Sequence, residues 1–392
     1  MALTDLVAPA GREHNTPSGG PPSTSEGIYR AQFDPATGEF SDLRLVAEVG
    51  VSPSWFRLHP SLPVLYTTNE TFDGSDSSVT AFGITPTGGL ERMGRVSTSG
   101  GSACHFSVHP RCGYLAATNH GQDFGGNAGG SVAVISLDAA SGDVVAQTDH
   151  VVHEQPTDAA LLADPAREDW TPHAHSANWS LCGRFLFVCE KGTDRIIVYA
   201  FDEASGKITN HSECMVTVGG GARHIAVHPD GKHIFCNEEA GARVTAYDWD
   251  AEAGVLTPTQ TLSTLPENHG LPEVFTAECS LNAAADVLYV ANRVWPPVPG
   301  KDDGLLATFG VDADGKLDAR GHVKVGRHPR HFQIDPTGQW LVCSSLHEHR
   351  VDVFRLDERG VPHPTDSSIT VPSVTHSLWI PQERWPAAAG SL

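Results

Sequence analysis

Ala222-Arg-His-Ile-Ala-Val-His-Pro-Asp-Gly-Lys-His-Ile-Phe-Cys-Asn-Glu-Glu239 reads as a short apolar run, a polar turn and a second apolar run that ends on carboxylates. It is one copy of a unit that recurs along the chain. Aligned on His228, the other copies are anchored at His59, His109, Ser180, Asn282 and Asp335, each followed six residues later by Leu or Ile opening a second apolar run. The anchors lie 50, 71, 48, 54 and 53 residues apart. A period near 50 built from short strands and turns is how the blade of a β-propeller reads, because each blade is a small antiparallel sheet. The expected fold is therefore all-β, a seven-bladed propeller of four-stranded blades.

Six anchors leave one blade to be found at the chain ends. The tail, Val374-Thr-His-Ser-Leu-Trp-Ile380, offers an inner strand with nothing after it, and the head, Gly27 to Ala47, offers outer strands with no inner strand before them. Joined, they make a seventh blade that closes the ring and removes free sheet edges. The motif of strand, Asp, Thr/Ser-Gly and strand seen in the head returns at Val132 to Val145 and Ile196 to Ile208, as outer strands should. Residues 1–26, with their Pro/Gly/Ser-rich run from His14 to Ser25, read as a flexible head, and 27–392 as a single propeller domain. Three excursions stand out as rim loops: 121–130, 152–172 and 294–300.

Of the 392 residues, 26 are Lys or Arg and 47 are Asp or Glu, a net charge of −21. A field of that sign argues against nucleic acid or an anionic membrane as partner. No run approaches the roughly 18 apolar residues of a membrane span, and no basic-then-apolar leader opens the chain, so a cytoplasmic protein is expected. A monomer or weak homo-oligomer is expected. The eight cysteines form no C-x-x-C pair and fall mostly in strands expected to be buried, where a reduced core thiol is the ordinary state.

The repeat also locates the site. Positions equivalent between blades form rings around the channel, and a position that breaks its ring with a reactive group is a candidate. Five residues before each anchor the ring reads Ser54, Cys104, His175, Arg223, Ala277, Arg330; eleven after, it reads Glu70, His120, Lys191, Glu239, Arg293, Leu346. The start of one antiparallel strand lies beside the end of the next, so both rings belong to one mouth. Arginines gathered there in an acidic chain point to a small anion, since guanidinium groups bind carboxylate or phosphate through paired donors. Arg223 and Glu239, sixteen residues apart, should be neighbours at that mouth. The anchor histidines read as turn chemistry, and His105, His224 and His331, one step past the ring, as structural residues alternating away from it.

Pro172-His-Ala-His-Ser176, Ala222-Arg-His-Ile-Ala-Val-His-Pro229, Leu288-Tyr-Val-Ala-Asn-Arg293 and Pro329-Arg-His-Phe-Gln-Ile-Asp-Pro-Thr-Gly338 together resemble the seven-bladed propeller lactonase family. That family includes propeller-type 6-phosphogluconolactonases and the fungal 3-carboxy-cis,cis-muconate lactonising enzyme. The resemblance runs from about Gly27 to Ile380. It implies a metal-independent site without cofactor, built from His175, Arg223, Glu239 and Arg293. His175-Ser-Ala-Asn178 and Asn237-Glu-Glu239 are closer to the bacterial lactonases, Glu239-Ala-Gly241 with Arg243 to the fungal enzyme. The family's first strand, a Tyr-Val-Gly-Thr-Tyr-like run, is missing, with Leu6-Val-Ala8 in a position to replace it.

Residue chemistry then suggests roles. With an ordinary pKa near 6.5, His175 suits a general base for water. One of Arg223 and Arg293 would offset a developing oxyanion and the other would hold the substrate's anionic group. Glu239 reads as the ion-pair partner that fixes an arginine, the alternative being an acid or base in its own right; carboxylates beside cations have lowered pKa values. Arg330, His120, Lys191 and Glu70 are further candidates for substrate contact. Lactone hydrolysis is the expected reaction, cyclisation of an unsaturated diacid such as 3-carboxy-cis,cis-muconate the alternative. A propeller that only binds proteins is the third reading, although the Gly-His and Trp-Asp pairs of such repeats are missing at the repeat spacing.

Overall fold

The computed structural model describes residues 4–9, 26–50, 52–71, 75–121, 129–167, 169–381 and 384. They form seven four-stranded sheets in which neighbouring strands run antiparallel. Six are continuous in sequence and are called blades one to six: residues 53–97, 103–152, 174–215, 222–263, 274–327 and 329–370. The seventh takes its strands from both ends of the chain, in the order Leu378–Ile380, Thr4–Pro9, Gly27–Asp34, Glu39–Glu48. Asp5, Leu6 and Val7 pair with Ile380, Trp379 and Leu378.

The stretch Leu6–Ala8 thus lies in a strand between Leu378–Ile380 and Gly27–Asp34. Thr4–Pro9 therefore belongs with the propeller and not with a flexible head, because this six-residue run finds a strand partner on each side. The run from His14 to Ser25 and most of the loop 121–130 lie outside the described residues.

The anchors make turns, as expected. His59 Nδ1 accepts the N–H groups of Ser61 (3.1 Å) and Leu62 (3.0 Å), His109 Nδ1 that of Arg111 (3.2 Å), and Asp335 Oδ1 those of Gln339 and Trp340. His109 and His228 also reach across to the next blade, with Nε2 3.0 Å from the Gly183 carbonyl and 3.1 Å from that of Ala285. Blade six is tied to blade seven by Trp340, whose indole N–H donates to the Pro35 carbonyl at 2.9 Å. Gly38 in that turn has φ +77°, and a Cβ there would sit 2.5 Å from the Trp340 ring, so only glycine suits it.

Core packing lies between blades. Phe187 and Cys189 of blade three meet Cys236, Tyr247 and Trp249 of blade four, and each other blade junction is filled in the same way. All eight cysteines are free of disulfides, and Cys104, Cys189, Cys236, Cys279 and Cys343 are buried; Cys189 and Cys236 Sγ share a thiol hydrogen bond at 3.8 Å. Cys182 is exposed instead. No helix among the described residues is long and apolar enough to cross a membrane.

One local irregularity places the site. In blades two, three, four and six the pairing of inner and second strands skips one residue, and the skipped residues are Cys104, His175, Arg223 and Arg330. These are members of the sequence-derived ring. A β-bulge bends the strand and re-aims the extra side chain.

Candidate active site

Glu239 is the hub of the channel mouth. Its Oε2 accepts Arg223 Nε–H at 3.1 Å and its Oε1 accepts from Arg293 Nη2 at 2.9 Å, while Lys191 Nζ stands 3.6 Å from Oε1. Four residues from blades three, four and five are thereby joined, all of them members of the two rings. Arg223 is 2% exposed and also donates through Nη1 to the Ala277 carbonyl. Burial pushes the Glu239 carboxyl up, but Lys191, Arg293 and Arg223 outweigh it and hold the group well below the ordinary carboxylate range. Burial draws the Arg293 guanidinium down to about 9 in spite of Glu239. Arg330 and Glu70 complete this side of the mouth: both are half-buried, and burial raises the Glu70 carboxyl against the pull of Arg330, Ser54 and Arg223.

His175 lies 6% exposed with its ring centroid 5.0 Å from that of His224 and 5.9 Å from that of His120. Its carbonyl is fixed by Thr118 Oγ1 (2.9 Å) and Cys104 Sγ (3.2 Å), which pin the bulge. The ordinary pKa assumed from sequence is corrected here. Burial, then the charge of Arg223, takes His175 well below 6.5, so the imidazole is neutral throughout the physiological range and a weaker base than free histidine. His120 stacks on His173 at 4.5 Å and 17°, and His173 Nδ1 donates to the His120 carbonyl at 2.9 Å. His173 directly follows the 152–172 excursion. That excursion carries a one-turn helix, Ala159–Leu162, capped by Asp158, and is tied down through Arg167 Nη1 to Asp194 Oδ1 at 2.8 Å.

His105, His224 and His331 do not alternate away from the ring. The bulge adds one residue, so two successive side chains in each blade turn towards the axis. There Trp55 is surrounded by the rings of His105 (4.3 Å), His376 (4.5 Å), His224 (5.2 Å) and His331 (5.6 Å). Arg57 lies over the same indole at 4.5 Å. Below this plug is a cavity of about 270 Å³, lined among others by Arg57, Asn178, His224, Glu278 and Ser280. Glu278 Oε2 is 3.0 Å from His224 Nδ1, and burial pushes its carboxyl up to about 7 against the pull of Arg57 and Arg223.

That shift has a stability consequence. Unfolded, the carboxyl ionises near pH 4.3; folded, it keeps its proton to about 7. Between those values the native state binds more protons, so wild-type stability falls as pH rises, by on the order of 3–4 kcal/mol in total. Glu278→Gln retains an acceptor for His224 and should remove that slope, leaving the variant the more stable protein above pH 7. Urea melts at pH 5, 6, 7 and 8 test this, and parallel curves for the two proteins would refute it.

All eight sequence candidates thus come to one mouth, although only Lys191, Arg223, Glu239 and Arg293 are in direct ionic contact. The sequence reading missed His173, Glu278, His328 and Trp295. His328 Nε2 lies 3.2 Å from Arg293 Nη1, and Trp295, on the 294–300 loop, packs against His328 at 5.1 Å. His328 sits two residues before Arg330, off the ring register, and Glu278 follows the Ala277 ring position, so periodicity alone gave neither any weight. Among the described residues one group could gather a metal ion, His228, Asp230 and His233, with ligand atoms within 4.8 Å of one another. It belongs to an anchor turn away from the mouth, and its atoms already serve that turn: the Asp230 N–H reaches His228 Nδ1 at 3.3 Å and Asp230 accepts from Lys232 at 2.8 Å.

Residues 16–379 match the family described as lactonase, 7-bladed β-propeller. The chain belongs to this lactonase family. Among its relatives, 6-phosphogluconolactonase of Bacillus subtilis is 27% identical over 359 residues, 89% of this chain and 93% of that one. An uncharacterized protein of Staphylococcus saprophyticus is 25% identical over 337 residues, covering 85% and 89%. The periplasmic gluconolactonase PpgL of Pseudomonas aeruginosa superposes with a TM-score of 0.84 over 97% of this chain and 99% of that one at 24% identity, a likeness of fold.

Proposed function

We propose that the protein hydrolyses a small anionic sugar lactone, 6-phosphogluconolactone or a related aldonolactone, on a closed ring of seven blades held together by the sheet that both chain ends share. One observation carries the reading. Arg223, Arg293 and Lys191 surround the carboxylate of Glu239, so this cluster of four keeps a charge of 3 − 1 = +2 in a chain of net charge −21. Buried guanidinium groups held in fixed orientation are suited to a carboxylate, a phosphate or a developing oxyanion.

In this reading His175 takes a proton from water as the water oxygen attacks the acyl carbon. The carbonyl oxygen becomes anionic and is stabilised by an arginine. Collapse breaks the bond to the ring oxygen, which receives the proton from His175, and the product is an open-chain hydroxy acid. Glu239 orients both arginines and keeps its charge throughout; Arg330, His120, Lys191 and Glu70 line the path of the anionic group. The relatives named 6-phosphogluconolactonase favour hydrolysis over lactone formation from a muconate. Eight unpaired cysteines suit a reducing compartment such as the cytoplasm.

The test is a panel of 6-phosphogluconolactone, simple aldonolactones and 3-carboxy-cis,cis-muconate, each with and without a chelator. Hydrolysis of an aldonolactone at a rate indifferent to the chelator is expected. Turnover of the muconate alone would make the protein a cycloisomerase, and turnover of none would leave a binding protein.

A further inference from the structure

Each arginine that grips Glu239 also hands an N–H to a histidine, and the two histidines differ in what their other nitrogen does. Arg223 Nη1 stands 3.2 Å from His224 Nε2. A guanidinium has only donors, so Nε2 accepts and the ring proton resides on Nδ1. That proton has an acceptor in Glu278 Oε2, 3.0 Å away. The chain from Glu239 through Arg223 and His224 to Glu278 is closed.

The second chain is open. Arg293 Nη1 stands 3.2 Å from His328 Nε2, and by the same reasoning His328 carries its proton on Nδ1. This Nδ1 is buried and has no hydrogen-bond partner. The residue is 4% exposed, and its ring is held by stacking on His347 at 4.3 Å and 27° and by the edge of Trp295. Its backbone adopts φ +55°, a left-handed conformation that a non-glycine residue takes up at a cost. Burial and the charge of Arg293 keep the imidazole neutral, so the tautomer is not lost to protonation. A strained backbone, a locked ring and a buried donor without acceptor are features of a binding site, where the ligand completes the bond.

We propose that His328 is a substrate-contacting residue whose Nδ1–H donates to an oxygen of the lactone acyl group, the same group that becomes the carboxylate of the ring-opened product. The proposal rests on the lactonase reading above and adds to its site a donor from the junction of blades five and six.

Two variants and one spectrum test it. His328→Phe keeps a ring to stack on His347 and lacks the donor; His328→Asn places an amide N–H near the position of Nδ1. His328→Phe is expected to lose about 10- to 100-fold in kcat/KM and in affinity for gluconate measured by calorimetry, the size of one hydrogen bond to a polar or charged oxygen. His328→Asn should recover most of that loss. In the wild type, ¹⁵N spectra of the histidines should show His328 protonated on Nδ1 and accepting at Nε2, with the Nδ1 signal moving as gluconate is added. Rates within twofold of wild type in His328→Phe, equal losses in both variants, a proton on Nε2, or an Nδ1 signal indifferent to gluconate would each overturn it. If the wild type hydrolyses no lactone, the reaction assignment fails by itself, and the gluconate titration of the Nδ1 signal still decides the contact.

Discussion

Arg223→Ala should lower kcat/KM for the preferred lactone by about 10²- to 10³-fold, the usual loss when a donor to a developing oxyanion is removed. His175→Ala should cost about 10²- to 10⁴-fold, as removal of a general base does. The pH profile separates these roles. His175 is held well below its ordinary pKa first by burial and then by the charge of Arg223. Wild-type kcat/KM should therefore stay level as pH falls through 6.5 and decline only in more acid solution. Without Arg223 one cation that opposes protonation is gone, the pKa of His175 rises, and the acid limb should move to higher pH. Arg223→Lys is the control for folding. It keeps a charge, but one ammonium cannot serve Glu239, the Ala277 carbonyl and His224 as Nε and Nη1 do together, so it should recover little. Equal rates in wild type, His175→Ala and Arg223→Ala would remove both residues from the mechanism.

The repeat explains why so much of this site was legible in the sequence. A propeller turns sequence period into angular position, so residues at one offset from the anchors share a height along the channel. Arg223 and Glu239 were placed together on that ground, and their side chains meet at 3.1 Å. What the period could not convey is the bulge. Strict alternation sends His224 away from Arg223, whereas the skipped residue leaves both facing the axis, with Nη1 and Nε2 3.2 Å apart. His328 was invisible for a related reason. It lies outside the inner strand Pro329–Ile334, in a left-handed backbone conformation that no repeat position encodes. The ends of the chain show the converse case. Thr4–Pro9 departs from the family's first-strand motif, yet six residues that can extend between two strands sufficed, because backbone pairing does not depend on the motif.

Glu239→Gln is expected to destabilise the protein by about 3–5 kcal/mol at pH 7, the cost of leaving buried charges without their counter-ion. For a chain of this length that is a fall of about 5 °C in Tm. The amide keeps the shape of the side chain, but Arg223, Arg293 and Lys191 then face one another across a group with no charge. The sign of the pH dependence follows from the lowered carboxyl. Its contribution is fully present above the unfolded value near 4.3 and is lost as pH falls towards the folded one, so the gap between wild type and variant should be widest near neutrality and close in acid. The same variant decides between the two roles open to Glu239. As the carboxylate that orients both arginines, its loss should depress stability, gluconate affinity and kcat/KM together, the last by about 10²-fold or more, because misplacing a positioned donor by about 1 Å costs that much. As a proton-transfer group, its loss would abolish kcat while leaving Tm and gluconate affinity at their wild-type values. Melts from pH 2 to 8, calorimetry and kinetics on the one variant separate these outcomes. The carboxylate's contacts with Arg223, Arg293 and Lys191 at 3.1, 2.9 and 3.6 Å favour the first.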